Sequence, residues 1–487
     1  MRMFVLFQLL ILMVVVGCSK SQPQPYFGKD PITDATMHER QSDLLVEWCK
    51  RGYRKKTLLH FSSLSDLEFV PDGTSDQIAG LYKQKKIDEL GRAQDQGVAG
   101  LYSSRNVLYA AAHSGAVKEI YWVIPYKFVE QAGGGIAMKN FLKTVPALYD
   151  HAQIDRMELK GSILSGTVNG VRLNVCSPDS LPKFKEPVVI SLSADFIRTF
   201  ASEQGASSLK GARALFDAIA VKEIQVQSLH IVRGVEEGTG QPVHAYIADE
   251  FLKMATEPEI AERETAPPLW LARDMPDNML NGGERKLVRE TVAETLEEHP
   301  EDHPLLMIDI AAQLLMGDAA APLVRAEKLC RETPADKNTV ECQFLVQLGD
   351  MATENALGNP DLFYRAALVS RPQWAYALTH QVSSLVSRGK FDEARQALAE
   401  LAPVRDSLLL RLRRGDVEHQ LGKTVAALKF YDQARELYDE RVGIPVSKEN
   451  ALSLERMVRL YTEAGRTKDA ASVNEWMKRM DTYRPGK

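Results

Sequence analysis

Cysteine is scarce in this chain, five in 487 residues, too few for a disulfide scaffold of that size. Basic charge is not in excess either. Sixty Lys and Arg stand against 65 Asp and Glu, a net charge of −5, so no global positive field recruits nucleic acid. The one long apolar run, residues 4–16, is shorter than the ~20 residues that a membrane-spanning helix needs. Self-sufficient catalytic motifs are missing: no GxSxG elbow, no HExxH, no CxxC, no phosphate loop ending in Gly-Lys-Ser/Thr. Gly133-Gly134-Gly135 is not followed by the Gly-Lys-Ser/Thr of a phosphate loop and reads as a flexible loop. What is present is globular composition, 45% hydrophobic and 26% charged, which excludes a disordered or collagen-like chain. The length requires two or more domains.

Residues 1–18 read MRMFVLFQLLILMVVVGC: one Arg, the apolar run, then Gly17-Cys18. The run has the size and flanks of a signal-peptide core, and Val15-Val16-Gly17-Cys18 resembles the bacterial lipobox. That resemblance implies a signal peptide over 1–18 and a lipidated Cys18 at the start of the mature protein. A free anchor helix with an incidental cysteine is the alternative. Acyl chains contribute ~0.8 kcal/mol per buried methylene, so several of them anchor stably. Ser19 in place of Asp implies the outer membrane, with the protein facing the periplasm. Residues 19–35, with Pro23 and Pro25, read as a tether. In an oxidising compartment Cys330 and Cys342 would flank a helical turn and are the favoured pair; free buried thiols are the alternative.

Residues 36–256 alternate strand-like and helix-like apolar patterns. Segments 56–61 (KTLLHF), 119–124 (EIYWVI) and 187–192 (PVVISL) are short runs rich in β-branched and aromatic residues, as buried parallel strands require. Helices are expected over 35–52, 74–94, 105–115, 209–220 and 243–254. Asn169-Gly170 marks a hairpin within 156–176. The expected class is therefore α/β, a mainly parallel sheet with a small hairpin. Residues 257–283, charged and proline-rich with a closing Gly-Gly, read as an interdomain linker.

From 284 to 483 the pattern is all-α. Gly389-Lys390-Phe391-Asp392-Glu393-Ala394 recurs at Gly422 and again at Gly465, intervals of 33 and 43 residues. Gly415 stands seven positions before Gly422, with Tyr431 and Ala434 after it; Tyr364, Ala367 and Pro372, and Gly317 with Pro334, fit earlier copies. This pattern resembles the tetratricopeptide repeat. A generic bundle with chance glycine spacing is the alternative. Stacked helix pairs leave a concave face suited to a protein partner, here an expected envelope protein.

Polar positions punctuate the strand-like runs of the first domain. His38 stands in Met37-His38-Glu39-Arg40, read as the opening of a helix. Ser62, Leu64 and Asp66 follow one strand, and Ser193 and Asp195 follow another. With Tyr121-Trp122-Val123-Ile124-Pro125 between them, the ordered set resembles an uncharacterised, arginase-like branch of the ureohydrolase superfamily. The resemblance implies two bridged metal ions, usually manganese, and hydrolysis of a carbon–nitrogen bond. It matches His38 to the first histidine ligand, Ser62, Leu64 and Asp66 to a D-x-H-x-D motif, and Ser193 and Asp195 to a D-x-D motif. The two bridging aspartates fall on Ser62 and Ser193. Alcohols are weak, neutral substitutes for the anionic oxygens a hard divalent ion requires, and paired ions without shared carboxylates repel. The expectation is a pseudo-enzyme with no cofactor and a residual polar cleft at His38, Ser62, Asp66, Ser193 and Asp195. The alternative is a hydrolase with one Mn or Zn on His38, Asp66 and Asp195.

Overall fold

The computed structural model describes residues 24–482 apart from 71, 95–99, 127–133, 146–147, 149, 238–239, 335–338, 439–443 and 445–446. The lipobox with Cys18 lies outside the described residues.

Eight strands form one sheet in the order β1-β8-β7-β2-β3-β6-β5-β4. They are β1 (Ala35–His38), β2 (Lys56–Phe61), β3 (Val117–Val123), β4 (Glu158–Lys160), β5 (Ile163–Val168), β6 (Val171–Cys176), β7 (Val188–Ser193) and β8 (Val226–Val232). The first six positions in that order are parallel, and β5 and β4 add an antiparallel edge. The β5–β6 hairpin turns at Asn169 (φ 52°) and Gly170 (φ 76°), the left-handed pair that a two-residue hairpin turn demands.

The sheet is covered on both faces. One carries Leu58, Ile120, Trp122 and Val189 against α1 (Asp43–Lys50), α2 (Asp72–Lys83), α3 (Ile87–Arg92), α4 (Val107–His113), α5 (Gly134–Lys143) and α6 (His151–Asp155). The other carries Leu59, Phe61, Ile190, Leu192 and Ile231 against α7 (Ala194–Glu203), α8 (Ser208–Ala220) and α9 (Tyr246–Thr256). Successive side chains of a strand point to opposite faces, so strands buried on both read as unbroken apolar runs.

Several expectations need correction. Residues 35–52 are not one helix: His38 ends edge strand β1, paired with β8, and α1 starts only at Asp43. The span 74–94 breaks into α2 and α3 around Lys85 at φ 56°. Gly134 and Gly135 open α5 rather than a loop. Residues 26–32, expected within the tether, pack: Phe27 and Ile32 are buried, and Phe27 meets Phe216 at 4.9 Å between ring centroids.

The expected linker is also folded. It holds α10 (Glu259–Glu262) and α11 (Pro268–Asn281), with Trp270 and Asp277 buried. Its prolines misled because Pro258 and Pro267 sit at helix N-caps and Pro268 at a first turn, where a missing N–H costs nothing. One of its charges ties it to its neighbours: Arg273 pairs with Glu250 at 3.3 Å and with Asp302.

The remaining helices are α12 (Arg285–Glu298), α13 (His303–Leu315), α14 (Ala320–Glu332), α15 (Thr339–Glu354), α16 (Asp361–Ser370), α17 (Ala375–Ser387), α18 (Phe391–Leu401), α19 (Leu408–Gln420), α20 (Thr424–Glu436), α21 (Lys448–Glu463) and α22 (Thr467–Thr482). From α13 onward they form five pairs. Each pair turns through a residue at positive φ: Gly317, Ala356, Gly389, Gly422 and Gly465, the left-handed C-cap that glycine takes at no steric cost. Two pairs close on a Gly–Tyr contact. A Cβ on Gly415 would lie 2.4 Å from the Tyr431 ring, and one on Gly349 would lie 2.7 Å from that of Tyr364. Those tyrosines donate to Asp416 (2.9 Å) and Asp350 (2.8 Å), the residues next to the two glycines. Cys330 and Cys342 are disulfide-bonded between α14 and α15, while Cys49 and Cys176 are free and buried. No helix among the described residues is long and apolar enough to cross a membrane.

Candidate functional site

From β2 the chain moves to β3 on one side of the sheet, and from β7 to β8 on the other. The crevice beyond the carboxyl ends of β2 and β7 is thus the topological switch point, the usual ligand position in an open parallel sheet. Ser62 follows β2 and Ser193 ends β7, so the two flank that crevice. His38 ends β1 two strands away; Asp66 lies in the loop after β2 and Asp195 in the first turn of α7. All five expected residues therefore sit at one end of the sheet. Four of them divide among three separate polar groups, and Ser62 closes a turn of its own.

The first group runs across β1 and β8. Thr36 Oγ1 lies 2.9 Å from His38 Nε2 and 2.8 Å from His230 Nδ1. His230 Nε2 is 3.1 Å from Ser228 Oγ, which accepts from the Tyr53 hydroxyl at 2.7 Å. One assignment satisfies every member with both imidazoles neutral: Tyr53 donates to Ser228, Ser228 to His230 Nε2, His230 Nδ1–H to Thr36, and Thr36 to His38 Nε2. Burial holds both histidines below the usual imidazole pKa, His230 well below it, with His38 and Arg51 adding to the effect on His230.

The second group lies under β2 and β7. Gln41 Nε2 is 3.2 Å from His60 Nδ1 and donates to Ser191 Oγ at 3.0 Å; His60 Nε2 is 3.1 Å from Asp66 Oδ2. His60 and Ser191 are fully buried. Asp66 adopts φ 50°, a left-handed conformation that Asp tolerates better than most residues. Burial pushes its carboxyl above the usual range; His60 opposes this and the Asp195 charge adds to it. In the third group Ser193 Oγ donates to the Asp195 carboxylate. Ser62 Oγ accepts from the Leu64 backbone N–H at 3.1 Å, closing a local turn.

This donor set does not fit the metal pair that the arginase-like resemblance implies. The alcohols at 62 and 193 are engaged locally, and His38 Nε2 is committed to Thr36. Among the described residues no three His, Cys, Asp or Glu side chains converge as a metal site. His38, Asp66 and Asp195 belong to different groups.

Asp195 also lines a cleft of about 290 Å³ with Arg198, Glu203, Arg233 and His244. Behind it His244 Nδ1 stands 2.8 Å from Asp277 Oδ1, and Tyr246 donates to Asp277 Oδ2 at 3.1 Å. His60, His230 and His244 went unnoticed in the sequence. The available signal was polar residues at alternate strand positions, Thr36/His38, Ser191/Ser193 and Ser228/His230, which share a face.

The segment that follows β8 leaves the sheet and lies on the helix pairs. Val235 and Val243 are buried among helical residues. The short turn Pro242–His244 packs on α13 and α15. The Val243 N–H donates to Gln347 (3.2 Å), and Trp374 Nε1 donates to Glu236 (3.2 Å). A cavity of about 420 Å³ remains beside it, lined by Gln241, Gln347, Asp350, Tyr376 and His380 among others.

The helix pairs, with left-handed turns and Gly–Tyr closures, make 303–482 a tetratricopeptide-like repeat array joined to an α/β unit. No family model matches the chain and no curated protein matches it. Among solved structures, a thermophilic TPR protein of Thermus thermophilus is 18% identical over 35% of this chain and 92% of its own, with a TM-score of 0.22. A tetratricopeptide repeat protein of Parabacteroides merdae is 13% identical over 51% and 94%, at 0.27. The structure titled as the APC/C hetero-tetramer Cut9-Hcn1 is 11% identical over 59% and 57%, at 0.24.

Proposed function

We propose that this chain is an interaction scaffold whose helix pairs hold a segment of another protein. In this reading Cys18 carries the lipid that ties it to a bacterial envelope membrane, with the protein in the periplasm. The α/β unit serves as a non-catalytic platform, a degenerate arginase-like fold with no metal at its switch point. The observation that carries the reading is the cis contact: Val235, Glu236 and the short turn Pro242–His244 lie against α13, α15 and Trp374 at the start of α17. Repeat arrays continue such a face from pair to pair.

The test places a photoreactive amino acid at Leu452, 38% exposed on α21, and as a control at Val425, 85% exposed on α20. A discrete protein adduct from Leu452 alone supports the scaffold; equal adducts, or none, refute it. Metal analysis of the purified protein tests the platform. A stoichiometric manganese or zinc ion lost on Asp66→Ala would restore the hydrolase alternative.

A further inference from the structure

We propose that the cleft beyond the carboxyl ends of β7 and β8 binds a small monocarboxylate with a hydrogen-bond donor beside the carboxylate, a 2-hydroxy or 2-amino acid. The proposal goes beyond the scaffold reading and does not depend on it.

The cleft lies between α7 and the segment that leaves β8, one strand along from the switch point, and holds about 290 Å³. That volume sits at the bottom of the range for small-molecule sites, about 300–1,000 Å³, and admits a compact ligand rather than a peptide.

Arg198 is the anchor. It stands three positions after Asp195 on α7, is half-buried, and makes no hydrogen bond or ion pair among the described residues. Burial pulls its pKa down, against the influence of Asp277, Tyr246 and Asp195. A guanidinium drawn out of water without a partner gains from an anion brought to it. The nearby carboxylates are engaged elsewhere: Asp195 accepts from Ser193, and Asp277 stands against His244 and accepts from Tyr246.

His244 supplies the second contact. It is 4% exposed and borders the cleft. Its Nδ1 stands 2.8 Å from Asp277 Oδ1, which places the proton on Nδ1 and leaves Nε2 as an acceptor. Burial, with the Arg198 charge adding to it and Asp277 opposing, holds the imidazole below its usual pKa and therefore neutral. Nε2 has no hydrogen-bond partner among the described residues. A buried acceptor in that state calls for a donor on the ligand.

The walls set the charge of that ligand. Arg233 spends its guanidinium on Glu39 at 2.6 Å and Asp249 at 2.7 Å, which leaves Arg198 as the free cation among the described lining residues. Asp195 and Glu203 stand on the same walls and repel a second negative charge, so a phosphate dianion is disfavoured. A carboxylate takes one guanidinium through two parallel bonds, and the adjacent hydroxyl or ammonium serves His244 Nε2.

The test is a ligand-observed NMR titration of the full chain with L-lactate, L-alanine, propionate and inorganic phosphate. L-lactate or L-alanine should bind saturably, about fivefold tighter than propionate, the worth of one hydrogen bond, and tighter than phosphate. Preference for alanine assigns the donor to an ammonium and preference for lactate to a hydroxyl; both support the site. Arg198→Gln should weaken binding by about tenfold or more, and it should stay folded by circular dichroism because it removes no internal bond. Glu203→Gln should keep the carboxylate and strengthen phosphate. The proposal is overturned if neither acid binds, if propionate matches them, if phosphate binds best to wild type or ignores Glu203→Gln, or if Arg198→Gln binds like wild type. The scaffold is read from the adduct at Leu452, so either reading can fail without the other.

Discussion

Gly415→Ala isolates the packing that defines a helix pair. Alanine is intrinsically worth about 1 kcal/mol over glycine inside a helix, so by propensity alone the change stabilises α19. The contact reverses that sign. The new Cβ would lie 2.4, 2.6 and 3.0 Å from three atoms of the Tyr431 ring. That ring is fully buried and its hydroxyl is tied to Asp416. Overpacking a core of this kind costs about 1–3 kcal/mol. A ring displaced far enough to lose its bond to a carboxylate forfeits about 1.5–3 more. The net expectation is a destabilisation of about 2 kcal/mol or more. Gly80→Ala in α2 is the matched control, because nothing lies within 4 Å of its added Cβ; it should be neutral or stabilising by up to about 1 kcal/mol. Hydrogen exchange read on peptides of α19 and α20 localises the effect, which a global melt of a two-part chain would blur. If Gly415→Ala protects those peptides as well as wild type does, the close Gly–Tyr approach is wrong. The repeat reading then loses its main structural support.

Reducing the Cys330–Cys342 bond, a separation of 12 residues, should destabilise α14 and α15 by about 3 kcal/mol on loop-closure grounds; their exchange protection with and without dithiothreitol measures it. The His38–His230 pair makes stability pH-dependent. Their folded pKa values are depressed, so the stabilisation is present above the unfolded value of about 6.5 and is lost as pH falls toward the folded values. Urea midpoints of wild type should drop from pH 7.5 to 5.5 by more than those of His230→Gln; equal drops would contradict the neutral chain. Ser62→Asp with Ser193→Asp should lower the melting temperature, because two carboxylates join Asp66 and Asp195, and Mn²⁺ should restore it in the variant alone. A Mn²⁺ shift in wild type would show that the alcohols do not prevent metal binding.

The strands that showed in the sequence were those whose buried positions are mostly apolar. β2, β3 and β7 carry apolar residues at consecutive positions, so a run of Leu, Val and Ile announces them. β8 interleaves Ser228 and His230 with its apolar residues, and β1 consists of Ala35, Thr36, Met37 and His38. Both therefore lacked the signal, and with them went the partners of His38. Asn169-Gly170 was legible because a two-residue turn admits few dipeptides, and the repeat because Gly389, Gly422 and Gly465 answer a backbone requirement at a fixed place. Ala356 does the same job at φ 52° without being glycine, so the α15–α16 pair showed through Tyr364 and Ala367 and not through its turn. Residues 257–283 read as a linker because the partners of Arg273, Glu250 and Asp302, lie on neighbouring elements that composition does not identify.

One physical consequence ties the two halves together. Several polar residues at this end of the sheet are engaged with one another: each imidazole of the first group has a donor or acceptor inside the sheet, and Ser62 and Ser193 are bonded within two residues. A ligand entering there must break bonds that are already made, at about 1–3 kcal/mol for each buried group left unpaired. In the segment after β8, the exposed Gln241 and the buried His244 border both the cleft at Asp195 and the cavity on the helix pairs. Under the proposed scaffold reading, recognition belongs at the junction rather than at the strand ends. There the sheet supplies the segment, and the repeats supply the surface that reads it.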